Sequence, residues 1–190
     1  RVPEDCNTLE EAVEKVRSDS CLTTIVLGKG EHVIATVNKD EEGNATNDLE
    51  ISSAMNIVGD PNLPNEKIVV VGGIVFKKGI QGNCHLQHMT LRQAKDCGVW
   101  GESSFTMDDV IVEQCTHSGI YAHDTSGVGR CTNVVVRQCG ESGVVANDGG
   151  SITLIGAKTT VHYNCTKGES GEYGLKVEDS SSTIQLISPL

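Results

Sequence analysis

The chain has 190 residues and a formal net charge of −11, with 21 Gly and 8 Cys but only 3% aromatic residues. This charge excludes a nucleic-acid-binding surface, because nothing here would neutralise a row of phosphates, and it disfavours binding to an anionic membrane. A core with so few rings must be filled by aliphatic side chains, Met and Cys, which predicts thin layers of even size.

The first predicted element is a short helix at about residues 8–17. Thr8 is a suitable N-cap, with Glu11 three positions further on. Apolar residues recur at helical spacing at Leu9, Ala12, Val13 and Val16. This amphipathic helix needs a partner for its apolar face elsewhere in the chain.

Residues 23–83 carry short strand-like runs at irregular spacing. The apolar runs lie at 24–27, 50–51, 55–58, 68–71 and 74–76. Between them, residues 37–47 are polar and acidic, and residues 60–66 contain two prolines. Both stretches are predicted to be solvated loops.

From residue 84 onward the sequence repeats itself. Four six-residue segments align, at 89–94, 110–115, 134–139 and 160–165. Each is followed by Gly and an apolar residue, at 98–99, 119–120, 143–144 and 174–175. Each is preceded, three positions before its start, by Leu86, Met107, Cys131 or Ala157. The segments start 21, 24 and 26 residues apart, and a period of this size indicates one coil of a β-solenoid.

Alternation with period two predicts which side chains of each segment face the core. Positions one and three point inward in the first three segments, at Met89, Leu91, Val110, Val112, Val134 and Val136. Position four points to solvent, at Arg92, Glu113, Arg137 and Tyr163. Position five carries amides that can hydrogen-bond along the axis, at Gln93, Gln114, Gln138 and Asn164. Position six is predicted to stack as inert packing, at Ala94, Cys115, Cys139 and Cys165.

The opening VPEDCNTLEEAVEKV…TTIVLGKGEHVI and the repeat NVVVRQCGESGVVA resemble the pectin-lyase-like right-handed β-helix superfamily. The resemblance implies an all-β, right-handed, single-stranded parallel β-helix with three short strands per coil and an N-terminal capping α-helix. We expect one domain over 1–190, with a cap at 1–22, irregular early coils at 23–83 and regular coils at 84–190. The same repeat occurs in interaction domains of adaptor and F-box proteins, so it implies a fold and no particular activity.

Most characterised members of that superfamily act on acidic polysaccharides in a groove over the first strand. Their Arg-Pro-x-x-Arg, Asn-Thr-Asp, Gly-His-Gly, Gln-Asp-Thr and Asp-Pro-His-Asp signatures are absent from this sequence. Adjacent coils still offer a candidate catalytic group at His85, Asp108, Asp109 and Arg130. An imidazole, a carboxylate pair and a guanidinium could abstract a proton next to a bound carboxylate, or hydrolyse a glycosidic bond. The alternative is that the two aspartates form a turn and the histidine is a solvated strand residue.

The third strand of each coil offers a second set of candidates. Trp100 and Tyr121 are predicted to lie exposed on adjacent coils, with His123 close by, and could anchor a binding interface. Weak Ca²⁺ candidates follow the same strands, at Asp124, Asp148 and Asp179. Aspartate is common in turns because it bonds its own backbone, so turn chemistry is preferred and no cofactor is expected.

The sequence therefore favours a non-catalytic binding or scaffold module whose flat solenoid faces contact a protein partner or a second copy. The alternative is a carbohydrate-active protein, a polysaccharide lyase, hydrolase or epimerase acting on an acidic polysaccharide. No nucleic-acid or membrane partner is expected. In-register cysteines fit thiols kept reduced inside a cell, whereas removal of an N-terminal signal would imply secretion. Whether Cys6 and Cys21 form a disulfide is left open by the sequence.

Overall fold

The computed structural model describes residues 1–39 and 43–187. It shows a right-handed parallel β-helix with an α-helix at its N-terminus. The predicted fold class is thereby confirmed. No helix in this part of the chain is long and apolar enough to cross a membrane.

The helix, α1 (Leu9–Ser18), covers the first coil. Thr8 is its N-cap, and the hydroxyl of Thr8 accepts a hydrogen bond from the amide of Glu11 at 3.1 Å. The predicted apolar face, Leu9, Ala12, Val13 and Val16, is buried against the core cluster that fills the coils. Covering the end of a solenoid in this way keeps its core from water.

Three parallel sheets form the faces of the solenoid. The first contains, in spatial order, β1 (Thr24–Leu27), β6 (Asn56–Gly59), β9 (Cys84–Arg92), β11 (Phe105–Glu113), β13 (Val128–Thr132), β16 (Ser151–Ile155) and β19 (Thr183–Ile187). The second contains β2 (Gly30–Val33), β7 (Ile68–Val71), the second halves of β9 and β11, β14 (Val135–Arg137) and β17 (Thr160–His162). The third contains β5 (Asp48–Ile51), β8 (Gly73–Phe76), β10 (Val99–Gly101), β12 (Ile120–His123), β15 (Val144–Asn147) and β18 (Leu175–Val177).

Strands β9 and β11 are each nine residues long because they run through the corner between the first and second sheets. The corner lies at His88 and Asp109, whose φ angles are +56° and +54°. Both residue types are among those that enter this left-handed region more often than others. The chain therefore turns at these two positions without losing the pairing on either side.

The stacking predicted for the regular coils is present. All six predicted inward positions of the first three segments have no exposed surface. The amide of Gln114 donates to the side-chain oxygen of Gln138 at 3.5 Å, one coil away. The thiol of Cys115 lies within hydrogen-bonding reach of Cys139, and all eight cysteines, Cys6 and Cys21 included, are free thiols.

The fourth segment is shifted by one residue from its predicted alignment. Thr160 pairs with Val135, and Val161 pairs with Val136, so Asn164 lies level with Cys139 and Cys165 leaves the stack. The packing explains the shift, since a Cβ at Gly143 would lie 2.5 Å from Val161 Cγ1, as one at Gly119 would lie 2.3 Å from Val136 Cγ1. The carboxamide of Asn164 then accepts from the amide of Cys139 at 3.0 Å.

Two further predictions, the position of Ala157 and the exposure of Glu113, are wrong. The residue in register with Cys131 is Leu154, and Ala157 lies in the turn that follows β16. Glu113 is only 5% exposed, although its position in the alternation predicts a solvated side chain. It is buried between two arginines of adjacent coils, at 3.2 Å from Arg92 and 2.7 Å from Arg137.

The two stretches predicted to be solvated loops also contain ordered structure. Residues 37–47 include an antiparallel hairpin, β3 (Asn38–Lys39) and β4 (Ala45–Thr46), although residues 40–42 lie outside the described part of the chain. Residues 60–66 run into a 3₁₀ turn at Asn65–Lys67, and this segment packs over the second sheet. Both segments contribute to the sites described below.

Replacing Val112 with Asp is expected to unfold the solenoid, because Val112 has no exposed surface and an aspartate there would bury an unpaired charge. We expect a loss of more than about 4 kcal/mol in the free energy of unfolding. Thr116→Asp is the matched control, since Thr116 is exposed and should change stability by less than about 0.5 kcal/mol. Urea denaturation followed by circular dichroism measures both, and equal stability of the two variants would contradict the inward assignment.

Candidate functional site

On the first sheet, the strand register separates the predicted catalytic residues into two rows. His85, Thr106 and Arg130 lie in register on adjacent strands. The ring nitrogen Nδ1 of His85 is 2.7 Å from the hydroxyl of Thr106, which therefore lies between the histidine and the arginine. Asp108 lies two residues further along, in a row with Gln87 and Thr132. Within the described residues, no ion pair joins Asp108 to His85 or Arg130.

Asp109 belongs to a separate contact at the corner between the sheets. Its carboxylate is 2.5 Å from Nδ1 of His88, and Nε2 of the same ring is 2.6 Å from the carbonyl oxygen of Leu63. Asn65 donates to both the carbonyl and the side chain of Asp109 at 3.3 Å. This contact fixes the segment around residues 60–67 on the second sheet, and it leaves Asp109 little freedom to act as a base.

Both nitrogens of His88 face acceptors, and this determines its charge. A neutral imidazole has one N–H, whereas two acceptors require two, so the arrangement favours imidazolium. Partial burial alone would lower the pKa of His88, but the Leu63 carbonyl and the Asp109 carboxylate outweigh burial and raise it.

The three aspartates considered for Ca²⁺ have partners of their own. Asp124 accepts from the ammonium of Lys78 and from Thr125, which lower the pKa of Asp124 to about 2. Asp148 lies 3.6 Å from His123. Hydrogen bonds from Ser181 and Ser182 lower the pKa of Asp179. Among the described residues, no group of three or more His, Cys, Asp or Glu is arranged to hold a metal ion.

On the third sheet, the predicted aromatic residues are brought together. The rings of Trp100 and Tyr121 stack with centroids 4.4 Å apart and planes inclined by 10°. The ring of His123 lies 5.4 Å from that of Trp100. The hydroxyl of Tyr121 donates to Glu178 at 3.0 Å, across the buried Val145. Burial, together with the acceptor Glu178, raises the pKa of Tyr121.

Only one face of Trp100 is used in this stack. The residue in register with Trp100 on its other side is Val75, on β8. Because a valine side chain is much smaller than an indole, the row steps down at this point. The step opens a cleft of about 360 Å³ whose lining includes both residues, within the range of roughly 300–1,000 Å³ that is usual for small-molecule sites.

The rest of the cleft lining is polar, and four of its nine residues are acidic. It comprises Asn38, Lys39 and Thr46 of the hairpin, Asp48 and Glu50 of β5, and Lys77, Asp96, Glu102 and His117 from the turns around the third sheet. Lys77 is held between Glu50 and Glu102, at 3.7 Å and 4.0 Å. Nδ1 of His117 is 3.0 Å from the carboxylate of Asp96. Three of the four cleft carboxylates thus lie beside Lys77 or His117. The fourth is that of Asp48.

Asp48 is buried at the start of β5. It is 5% exposed, and its Oδ1 has no hydrogen-bond partner among the described residues. Burial raises the pKa of Asp48, the hydrogen bond from Thr46 opposes this effect, and the nearby carboxylates of Asp96 and Glu50 add to it. Oδ1 lies over Gly73, where a Cβ would be only 2.4 Å from it, so the glycine leaves the space that this oxygen fills.

The cleft was not predicted from the sequence, although the repeat contains a signal for part of its lining. Asp96 and His117 occupy the same position, two residues before the repeated glycines Gly98 and Gly119. The repeat therefore predicts their contact. Asp48 carries no such signal, because β5 belongs to the early coils, where the spacing is irregular.

We expect His88→Gln to destabilise the protein by about 1.5 kcal/mol at pH 5.5, since it removes a charged hydrogen-bond donor. The pKa of His88 is higher in the folded state than its ordinary value of 6.5. The resulting stabilisation of the folded state is fully present below pH 6.5, and it is lost as the pH rises through the higher pKa of the folded state. The difference between wild type and variant should therefore shrink towards pH 8.5 in urea denaturation.

His162→Gln is the control for this measurement, because His162 contacts Tyr163 on the second sheet, away from the corner. It should show no comparable pH-dependent loss. A gap between wild type and His88→Gln that is the same at every pH would contradict the assignment of the charged form.

No protein-family model matches the chain, and no curated protein matches it. Among solved structures, the chain is similar to the catalytic domain of a single-residue variant of GH87 alpha-1,3-glucanase in complex with tetrasaccharides, with 14% identity, a TM-score of 0.37 and coverage of 96% of this chain and 37% of that chain. It is also similar to the catalytic domain of GH87 alpha-1,3-glucanase in complex with nigerose, with 13% identity, a TM-score of 0.32 and coverage of 96% and 44%. The chain thus spans less than half the length of these structures.

Proposed function

We propose that this chain binds a glycan in the cleft of the third sheet, with Trp100 as the stacking surface. The observation that carries the proposal is the position of Trp100, which stacks on Tyr121 and, with Val75, lines a cleft whose other groups are carboxylate, ammonium, imidazole, amide and hydroxyl. The proposal concerns binding, and it assigns no catalytic step to the cleft.

A pyranose ring has an apolar face of C–H groups and an edge of hydroxyl groups. The cleft has the same two characters, since the indole and Val75 are apolar while Asn38, Asp48 and Glu50 offer polar atoms. Binding sites of this kind combine apolar walls with a few polar groups that fix orientation. The stack with Tyr121 holds the indole in place, so little side-chain entropy is lost when a ligand binds.

The negative charge of the protein disfavours acidic glycans. The chain carries −11 overall, and the cleft lining contains four carboxylates against two lysines. Acidic polysaccharides would be repelled both at long range and in the cleft. We therefore propose a neutral or cationic saccharide, in place of the acidic substrate that the superfamily resemblance implies.

Trp100 is the only tryptophan in the chain, so its fluorescence reports directly on the cleft. We expect short neutral and amine-bearing oligosaccharides to change this fluorescence in a saturable manner, while oligogalacturonate does not. In calorimetry, Trp100→Ala should weaken binding of the same sugars about tenfold, since ring stacking and burial of the indole face together contribute about 1.4 kcal/mol.

Tyr163→Ala is the matched control, because Tyr163 is 80% exposed and lies beside the second sheet, away from the cleft. It should bind as tightly as wild type. Unchanged fluorescence with every saccharide, at concentrations up to several millimolar, would count against a glycan site.

The Trp100–Tyr121 stack also supports a second candidate, a docking face for a protein partner or a second copy of the chain. Trp and Tyr are enriched at the centres of interfaces. If this candidate is correct, sedimentation should show a concentration-dependent dimer, or a complex with a partner, that Trp100→Ala abolishes. A monomer at all concentrations, together with saturable binding of sugar, would instead favour the glycan.

A further inference from the structure

The two ends of the solenoid differ, because only the N-terminal end is covered. There, α1 packs over the first coil, and its residues Leu9 and Val13 are buried together with Val2. At the C-terminal end, the last coil consists of β17, β18 and β19. Among the described residues, each of these three strands pairs with another strand along one edge alone.

The apolar side chains that face the axis in the last coil are exposed. Leu175, Val177 and Leu186 have exposed fractions of 38–52%. The residues in register with them on the preceding coil are at most 1% exposed, namely Val144, Ala146 and Leu154. Six of the ten large hydrophobic residues that are exposed in the described chain lie within residues 163–187. Exposed apolar surface is therefore concentrated at this end.

The backbone of β19 presents hydrogen-bonding groups at the same end. The amide of Thr183 donates to the carbonyl of Gly150, towards the preceding coil, at 3.0 Å. Consecutive residues of a strand point their N–H and C=O groups to opposite edges, so those of Ile184 and Leu186 point away from the body of the solenoid. An exposed strand edge beside apolar side chains is a template for pairing with another strand.

A second copy of the chain is the partner that this end fits. The end coil of a solenoid needs a cover with a polar outer face, which α1 supplies at one end only. Because α1 closes that end, one copy cannot stack its open end on the covered end of another and grow into a fibre. Two open ends can meet about a two-fold axis, which brings their β19 strands together in antiparallel orientation. We propose that the chain forms this closed, tail-to-tail dimer.

The charge of the open end allows two copies to approach. The whole chain carries −11, but residues 158–187 contain three lysines and four carboxylates. The ammonium of Lys176 is 3.0 Å from the carboxylate of Glu172 and 2.8 Å from that of Glu178, so these charges are paired within one copy. Nearly all of the excess negative charge lies elsewhere, and contact through those other surfaces would bring like charges together.

The last coil is also large enough for a specific interface. It runs over residues 160–187, a total of 28 residues. Specific interfaces use roughly 20–30 residues from each partner. The axis-facing residues form an apolar centre, and the turns at 166–172 and 178–182 form a polar rim. An apolar centre with a polar rim is the usual arrangement of a protein–protein interface.

Sedimentation velocity of the whole chain over a range of concentrations tests the proposal. We expect a monomer–dimer equilibrium. Leu186→Lys should weaken the dimer at least tenfold, because a charge on the edge opposes strand pairing and a symmetric contact contains the substitution twice. Leu22→Lys is the matched control, since Leu22 is exposed and follows α1 at the covered end. This control and Trp100→Ala should both dimerise as wild type does.

Two measurements on wild type locate the contact without any substitution. Hydrogen exchange at the amides of Ile184 and Leu186 should slow when the concentration is raised from the monomer range to the dimer range. The first sheet contains seven strands, so at about 4.8 Å per strand the solenoid is roughly 30 Å long. Small-angle X-ray scattering should therefore show a dimer about twice as long as the monomer, whereas association through the Trp100–Tyr121 face would widen it.

A monomer at every concentration up to several hundred micromolar would overturn the proposal. So would a dimer that Trp100→Ala abolishes, or one that Leu186→Lys leaves intact. Oligomers that keep growing with concentration would overturn it as well, because growth needs a second contact surface. If circular dichroism shows that Leu186→Lys is unfolded, hydrogen exchange at the two wild-type amides decides. Saccharide binding is measured separately, and its outcome is independent of the dimer.

Discussion

The structure depends on one constraint, the in-register stacking of coils at the spacing of hydrogen-bonded strands. Each residue on a sheet face has a neighbour from the next coil about 4.8 Å away, so side chains are selected in rows. The inward rows are the core, and they need no large rings because each layer is thin. The outward rows determine the chemistry of the surface, because each outward side chain has the equivalent side chains of the adjacent coils as its nearest neighbours.

Electrostatics along these rows follows the same constraint. Like charges cannot occupy adjacent positions of a row without cost. The second sheet satisfies this by alternation, with Glu113 between Arg92 and Arg137, and the glutamate becomes buried as a result. On the third sheet, Asp48 has glycine as its neighbour in register. The row therefore gives Asp48 space but no opposite charge, and its side chain takes a hydrogen bond from Thr46 of the hairpin instead.

The regular coils could be predicted because every position recurs from coil to coil. An ambiguous assignment at one residue can therefore be settled by the equivalent residues of the other coils. The fold, the inward residues and the Gln and Cys stacks followed from this recurrence. The predicted register of the fourth segment was wrong because a longer turn after β16 moves the start of the segment by one residue. The packing of Val161 sets the register that is observed. The prediction that Glu113 is exposed was wrong for a different reason. Glu113 is buried by its neighbours along the row, and strand alternation does not describe those neighbours.

Most of the cleft could not be predicted because it lies where the regular repeat begins. Trp100 lies in a regular coil, while Val75, Asp48 and the hairpin belong to the early coils, whose register only the structure defines. A row of equal side chains makes a flat face, so a concavity requires a step in side-chain size between adjacent coils. On the first sheet, the small residue Thr106 lies between His85 and Arg130, and its hydroxyl is hydrogen-bonded by His85 and by Asn83. The step from Trp100 to Val75 is therefore the feature that turns one face of a uniform solenoid into a site, and its residues are those on which function should depend.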